Sequence, residues 1–378
     1  LSMAFSIFVS VIAFVFWSDF RFAVPENSNT ESAVGGFYRY IKVFLVSFIC
    51  LMAMWMSYQA SSGIFLVMIL GLTLKDFLDN VRIKNILKKN LIFISSYFFA
   101  ALIFKFAMPA PKGYRKTEIF AFSEMISGLY YNIAELFKTL LSYLNEVWNI
   151  LAVLLFICFI ASLIIFSKRK RAFILSDVVA GVLFVALAVP ASYGAFLVLK
   201  ENPLNGRSLI GIGMVLAIIG IITTKNFNQL WQKFMAVPLL ILLYSFLVFS
   251  FAFGNVLADQ ERYANFRNEL LLDDLSRIWT SKDAVAKTKL QIEGNIGRTD
   301  VAIHVASRYP VIKSIWGQVG LQDDWFGFSK LRYYYNRKQE RISNRDRKMD
   351  ANKMKTVLDT YYHTIKEGEN GDVLVILK

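Results

Sequence analysis

Residues 43–74 read VFLVSFICLMAMWMSYQASSGIFLVMILGLTL. Two apolar runs, 43–57 and 64–74, flank the connector Tyr58-Gln59-Ala60-Ser61-Ser62-Gly63, and neither run holds a charged residue. A helix needs roughly 20 apolar residues to cross a hydrocarbon core of about 30 Å. The pattern is that of two membrane helices joined in a tight hairpin. Both arms are short for a full crossing, so part of the connector is expected at membrane depth, where irregular backbone persists only if protein or water shields it.

Outward from the hairpin the same texture recurs. Apolar runs at 1–17, 91–108, 148–166, 173–198, 208–224 and 235–254 bring the count to about eight spans. The composition agrees: 56% hydrophobic residues, 34 Phe among 378 residues and a mean hydropathy of +0.46 exceed what an ordinary soluble domain carries. That apolar surface ends near Gly254, and half of the Lys and Arg lie beyond it. A transmembrane domain over 1–254 and a soluble domain over 255–378 follow. The net charge of +14 does not point to nucleic acid, because the cations fall in short clusters between apolar runs and no nucleic-acid-binding motif accompanies them.

Those clusters set the orientation, since Lys and Arg in short loops stay on the cytoplasmic side. Every second loop is basic: Arg21, Arg39 and Lys42; then Lys75, Arg82, Lys84, Lys88 and Lys89; then Lys168-Arg169-Lys170-Arg171; then Lys225 and Lys233. The intervening loops balance their cations with acids, as in Lys112, Arg115 and Lys116 against Glu118 and Glu124, or Lys200 against Glu201. Eight alternating spans place the soluble domain outside. In the outward loop 109–146, Ile119, Phe122, Met125, Ile126 and Leu129 recur at helical spacing and predict an amphipathic helix on the membrane surface. The soluble domain reads as a small α/β module, with helices over 258–279 and 341–362 and strands at 289–292, 301–305 and 372–377.

Little conventional enzyme chemistry is visible. There is no P-loop, no GxGxxG after a strand, no HExxH and no CxxC, and His304 and His363 are the only histidines. No His- or Cys-based metal site and no cofactor are expected. Cys50 and Cys158 sit inside apolar runs as reduced thiols. What remains is carboxylates, arginines and aromatic surfaces. Arg207, preceded by Gly206 at the outer mouth of a span, reads either as a snorkelling anchor or as a bidentate fork for a lipid phosphate. Lys105, one turn from the outer end of its span, reads as a snorkelling cation or as a second candidate for that phosphate. Tyr58 and Gln59 at the hairpin tip offer a stacking ring and an amide for sugar hydroxyls, or simply a turn. Asn255 marks the start of the soluble domain and offers another amide, with helix capping as its plain alternative.

The chain resembles the phage- and island-encoded O-antigen glucosyltransferases of family II, the Gtr-type enzymes. The resemblance is carried by Trp55-Met56-Ser57-Tyr58-Gln59, Arg207-Ser208-Leu209-Ile210-Gly211, Phe253-Gly254-Asn255 with Gln260, Leu272-Asp273-Asp274-Leu275, Ile292-Glu293-Gly294 and Tyr309-Pro310-Val311-Ile312-Lys313, in that order. It implies a polytopic, GT-C-like inner-membrane enzyme with a periplasmic C-terminal domain. Such an enzyme moves glucose from a polyprenyl-phosphate donor to a lipid-linked O-antigen acceptor of lipopolysaccharide. GT-C enzymes are expected to carry their general base as an acidic residue in the first outer loop. The first such loop here, the Tyr58 connector, has no acid, and the chain opens at Leu1 already inside an apolar run; the base is therefore expected upstream of Leu1. A transporter or flippase for a lipid-linked sugar, and an O-antigen polymerase, are the alternatives. Internal repeats and midplane charges would favour the transporter, and neither is found.

Overall fold

The computed structural model describes residues 2–22, 33–107, 118–170, 173–204, 206–224, 230–278, 290–315, 349–369 and 371–378. The cations at 112, 115, 116, 171 and 225 and the segment 341–348 lie outside them. The chain forms two compact units, Leu1–Tyr244 and Ser245–Lys378.

The first unit is helical: α1 Ser2–Phe22, α2 Ala33–Ser57, α3 Ser62–Leu78, α4 Ile83–Ala107, α5 Met125–Tyr143, α6 Glu146–Lys170, α7 Ile174–Ala191, α8 Ile210–Thr224 and the start of α9 Leu230–Ile278. Among the described residues six helices are long and apolar enough to cross a membrane, within α2, α3, α4, α6, α7 and α9; the apolar stretches Ser2–Ala13 and Ile210–Thr224 are shorter. The hairpin arms are longer than the apolar runs alone indicate, because each helix continues through its polar end, past Tyr40 and Lys42 in α2 and past Lys75 and Asp76 in α3. Both arms are thus long enough to cross, which corrects the expectation of short arms. The run 173–198 is corrected the other way: α7 stops at Ala191, and Gly194 leaves helical geometry at φ +59°.

Helix α3 lies at the centre, packed by α1, α4, α7 and α8, and 72% of its span is buried, against 11–33% for the other five. Its buried side carries residues on all faces, as expected of a helix surrounded by helices. Peripheral helices show the opposite pattern. Ile83, Leu87, Leu91, Ile94 and Phe98 form an exposed stripe along α4 at helical spacing. Such a stripe is untenable in water and normal against lipid. At the basic end, α3 and α4 are clipped together by Asp76 and Lys89 (3.0 Å) and by Thr73 and Asn90 (2.9 Å).

The second unit holds a four-stranded sheet ordered β1-β4-β3-β2, formed by β1 Leu290–Glu293, β2 Lys355–Asp359, β3 His363–Glu367 and β4 Val373–Leu377. Strand β1 runs parallel to β4, and the other pairs are antiparallel. Ala264, Leu271 and Leu275 of α9 pack on Leu290, Ile292, Ile365, Val373 and Val375 of the sheet. Arg267, on the same buried side of α9, is the largest fully buried side chain among the described residues. Its guanidinium donates to Tyr263 Oη (2.8 Å) and to the carbonyls of Ile296 (3.4 Å), Lys378 (3.3 Å) and Tyr362, and lies 4.8 Å from the Tyr362 ring centre.

Two expectations fail here. Residues 301–305 are not a strand but part of α10 Asp300–Arg308. The alternation of Val301, Ile303 and Val305 mimics a strand, yet the core takes Ala302 and Ala306, one helical turn apart, and Thr299 caps the helix by accepting from Ala302 N. The described part of 341–362 is not helical: a 3-10 turn at Ala351–Lys353 leads into β2, which pairs with β3. A short helix α11, Ile312–Ile315, follows α10. The helix expected over 258–279 is the continuation of α9.

Candidate functional site

The extended backbone of Tyr58 (φ −160°, ψ 106°) ends α2 and starts the 3-10 turn Gln59–Ser61, after which α3 begins at Ser62. Tyr58 and Gln59 are half-buried, and Ala60, Ser61, Ser62 and Gly63 are fully buried. Ser61 Oγ lies 2.6 Å from Ser6 Oγ of α1, so the turn is fastened on that side by a hydroxyl pair. On the other side it meets two further 3-10 turns, Gly194–Val198 and Gly206–Leu209.

Small residues make that meeting possible. A β-carbon on Gly63 would stand 1.8 Å from the Ser192 carbonyl oxygen, and one on Gly211 would stand 2.1 Å from the same atom. The first turns of α3 and α8 therefore both close on the end of α7 at Ser192. Gly194 turns the chain back through the left-handed region open to glycine, and a β-carbon there would meet Ser62 Oγ at 2.3 Å. Ser62 Oγ in turn accepts from Ala195 N (3.2 Å). Tyr193 is fully buried and donates its hydroxyl to Asn202 Oδ1.

The loop before α5 folds onto the same place. Ile119 bridges Leu199, Phe120 N donates to Val198 O (3.1 Å), and Lys200 N donates to Glu118 O (2.8 Å). The fully buried Asn132 of α5 donates its Nδ2 to the carbonyls of Leu197 (2.8 Å) and Leu199 (3.0 Å). Lys200 pairs with Glu124 at 3.4 Å, an exposed contact of little energetic weight. Residue 119 thus belongs to a bridge, and the amphipathic helix expected from it starts at Met125.

Of the residues singled out from the sequence, Tyr58 and Gln59 are brought beside the Gly206–Leu209 turn that contains Arg207. The Arg207 side chain lies outside the described side chains. Lys105 is exposed in the last turn of α4, next to Phe104, whose ring stacks on Trp55 of α2 at 5.7 Å. Lys105 is therefore at the connector end as well. Asn255 is exposed on α9 in the other unit. Ser192, Tyr193, Asn202 and Asn132 were not legible, because only the fold shows which distant backbone or side chain each of them meets.

Of the acidic residues described at this end, Glu118, Glu124, Glu146 and Glu201 are exposed and Glu135 of α5 is half-buried. Among the described residues no group of three His, Cys, Asp or Glu is placed to hold a metal ion. The arrangement offers a close-packed small-residue floor, rimmed by a tyrosine, an amide and a glycine-preceded arginine position.

A model of the family described as glucosyl transferase GtrII matches residues 1–224, which include the connector and both turns that meet it. No curated protein and no solved structure matches the chain. With more than half of its length matched, the chain belongs to the GtrII glucosyl transferase family.

Proposed function

We propose that this chain transfers glucose from a polyprenyl-phosphate donor to lipopolysaccharide O-antigen repeat units at the periplasmic face of a bacterial inner membrane. In this reading the two shorter apolar helices complete eight crossings, the basic ends of the helices face the cytoplasm, and a soluble domain starting near residue 255 is periplasmic. Family membership supplies the glucosyl transfer. The observation that carries the rest is the contact between the Gln59–Ser61 turn and the Gly206–Leu209 turn, two segments remote in sequence that meet at one end of an apolar bundle. That is where a donor with its lipid tail in the bilayer and its sugar phosphate at the surface presents its anomeric carbon.

The chemistry is a displacement. An acceptor hydroxyl gives its proton to a carboxylate and its oxygen bonds to the anomeric carbon, while the bond from that carbon to the phosphate oxygen breaks and polyprenyl phosphate leaves. Negative charge grows on the departing phosphate, and a guanidinium is suited to it because its planar fork donates two parallel hydrogen bonds. Arg207 takes that role, with Lys105 as a second cation. Tyr58 and Gln59 contact the sugar at the rim; Asn255, on the other unit, is a separate substrate-binding candidate.

The test is expression of the gene with its native upstream sequence in a smooth-lipopolysaccharide host that makes polyprenyl-phosphate glucose, followed by mass spectrometry of the O-antigen. One added hexose per repeat unit is expected. Arg207→Lys should lose roughly 100-fold in transfer rate, in line with removal of one transition-state donor, with membrane insertion intact. An unchanged O-antigen with the protein inserted, or full activity with lysine at 207, overturns respectively the acceptor assignment and the bidentate role.

A further inference from the structure

Helix α5 has three faces. Gly128, Asn132 and Leu136, each four residues from the next, are buried. Phe120 covers the first of them, its ring lying where a Gly128 side chain would be, and Asn132 is tied to the Leu197 and Leu199 carbonyls. A second face is exposed and mainly polar, with Glu124 just before the helix, then Ser127, Tyr131, Lys138 and Ser142, and the half-buried Glu135 beside them. The third is exposed and apolar: Phe122 just before the helix, then Ile126, Tyr130, Phe137 and Leu141, falling within about 100° of arc at 3.6 residues per turn. Phe122, at 96% exposed, and Ile126, at 85%, are among the most exposed large apolar residues described.

The position of α5 is fixed at two points. Its last turn is followed almost at once by α6, whose start is capped by Asn145 Oδ1 accepting from Trp148 N (2.8 Å). Its middle is held by Asn132 to the turn that follows α7. Helices α6 and α7 are successive, mutually packed spans, so the start of one and the end of the other lie at the same membrane boundary. A helix anchored to both runs along that boundary. From Asn132 to Tyr143 it covers roughly 16 Å at 1.5 Å per residue, too far along the surface for its apolar face to avoid the lipid. The exposed apolar residues of α6 begin at Val147 and continue with Ile150 and Val153, directly after those of α5.

We infer that α5 is an interfacial helix, with Phe122, Ile126, Tyr130, Phe137 and Leu141 seated among lipid headgroups and the upper acyl chains, and with Asn132 tying this lipid-seated helix to the turn that packs on the Tyr58 connector. The occupant of the apolar face is bilayer lipid. An amphipathic helix with polar residues opposite a continuous apolar strip is stable in that position, and tyrosine suits the boundary because one end of its ring is apolar and the other polar. The inference stands whether or not the transferase reading does. Under that reading, the element holding one side of the site rests on the leaflet that presents the donor.

The experiment uses the full chain with Cys50→Ala and Cys158→Ala, carrying one spin label at Ile126→Cys, Tyr130→Cys or Lys138→Cys, in vesicles of phosphatidylethanolamine and phosphatidylglycerol. Labels at 126 and 130 should collide with dissolved oxygen and be shielded from an aqueous nickel chelate, and the label at 138 should show the reverse. Equal access of the chelate to 126 and 138 would place the helix in water and overturn the inference. Shielding of 126 from both reagents, with dipolar broadening between labels, would show a second copy on the face and overturn it too.

Discussion

Replacing Gly63 by alanine adds one carbon 1.8 Å from the Ser192 carbonyl oxygen and 2.4 Å from its carbonyl carbon. Neither atom belongs to a side chain that can swing away, so α3 or the end of α7 must shift. Overpacking of this kind costs about 1–3 kcal/mol, and a backbone obstacle puts the cost at the upper end. Alanine returns at most about 1 kcal/mol of helix propensity, and less in a first turn. The net loss is about 2 kcal/mol, a factor of roughly 30 in the folded-to-unfolded ratio. Gly213 supplies the matched control, because a β-carbon there meets nothing within 4 Å and Gly213→Ala should be neutral or slightly stabilising. The measurement is the fraction of detergent-solubilised protein remaining monodisperse after a heating series, with glucosyl transfer assayed in parallel. Gly211→Ala should resemble Gly63→Ala, and the double variant should lose less than the sum, since both methyls displace the same carbonyl. If Gly63→Ala tracks Gly213→Ala in both assays, the convergence of α3, α7 and α8 on Ser192 is wrong.

Two further outcomes concern the C-terminal unit. His363 is buried with its Nε2 3.0 Å from Asp274 Oδ2; burial pushes its pKa below the ordinary 6.5 and outweighs the opposing pull of that carboxylate. Below pH 6.5 the unfolded chain therefore takes up a proton before the native one does, and stability falls as the pH drops through that range. His363→Gln should flatten the slope of amide-exchange protection in β3 and β4 between pH 7 and about 5.5, and an unchanged slope would assign it to other groups. Arg267→Met keeps the bulk but leaves the Tyr362, Ile296 and Lys378 carbonyls without this donor, at a cost of roughly 3 kcal/mol. Wild-type protection of the same strands in that variant would show that the guanidinium contributes no net stability.

Arg267 also shows where sequence reading fails. An arginine among Glu269, Asp273 and Asp274 reads as part of a solvated helix face, whereas the apolar Tyr263, Phe266, Leu270 and Leu271 share another face of the helix expected over 258–279. The structure buries Leu271 and packs Tyr263 against the same core, but it buries Arg267 and Asn268 along with Ala264 and Leu275 and leaves Phe266 exposed. Nothing local marks Arg267 for the core, because its burial depends on strand-end carbonyls more than ninety residues later in the chain. The same holds for 301–305, where β-branched alternation was read as a strand and two alanines facing a core made it a helix.

The sequence by itself determined the membrane class and the position of nearly every long helix, because apolar runs of bilayer length have no other stable home. It also marked the connector and the Gly206–Leu209 segment as separate places of interest. Only the tertiary structure decided that they are one place. That depended on Gly63 and Gly211 closing on a single carbonyl, on the left-handed turn at Gly194 and on Asn132 reaching two backbone oxygens. Hydropathy is a sum over neighbours in the chain, whereas close approach depends on the few atoms that a distant segment brings within contact distance.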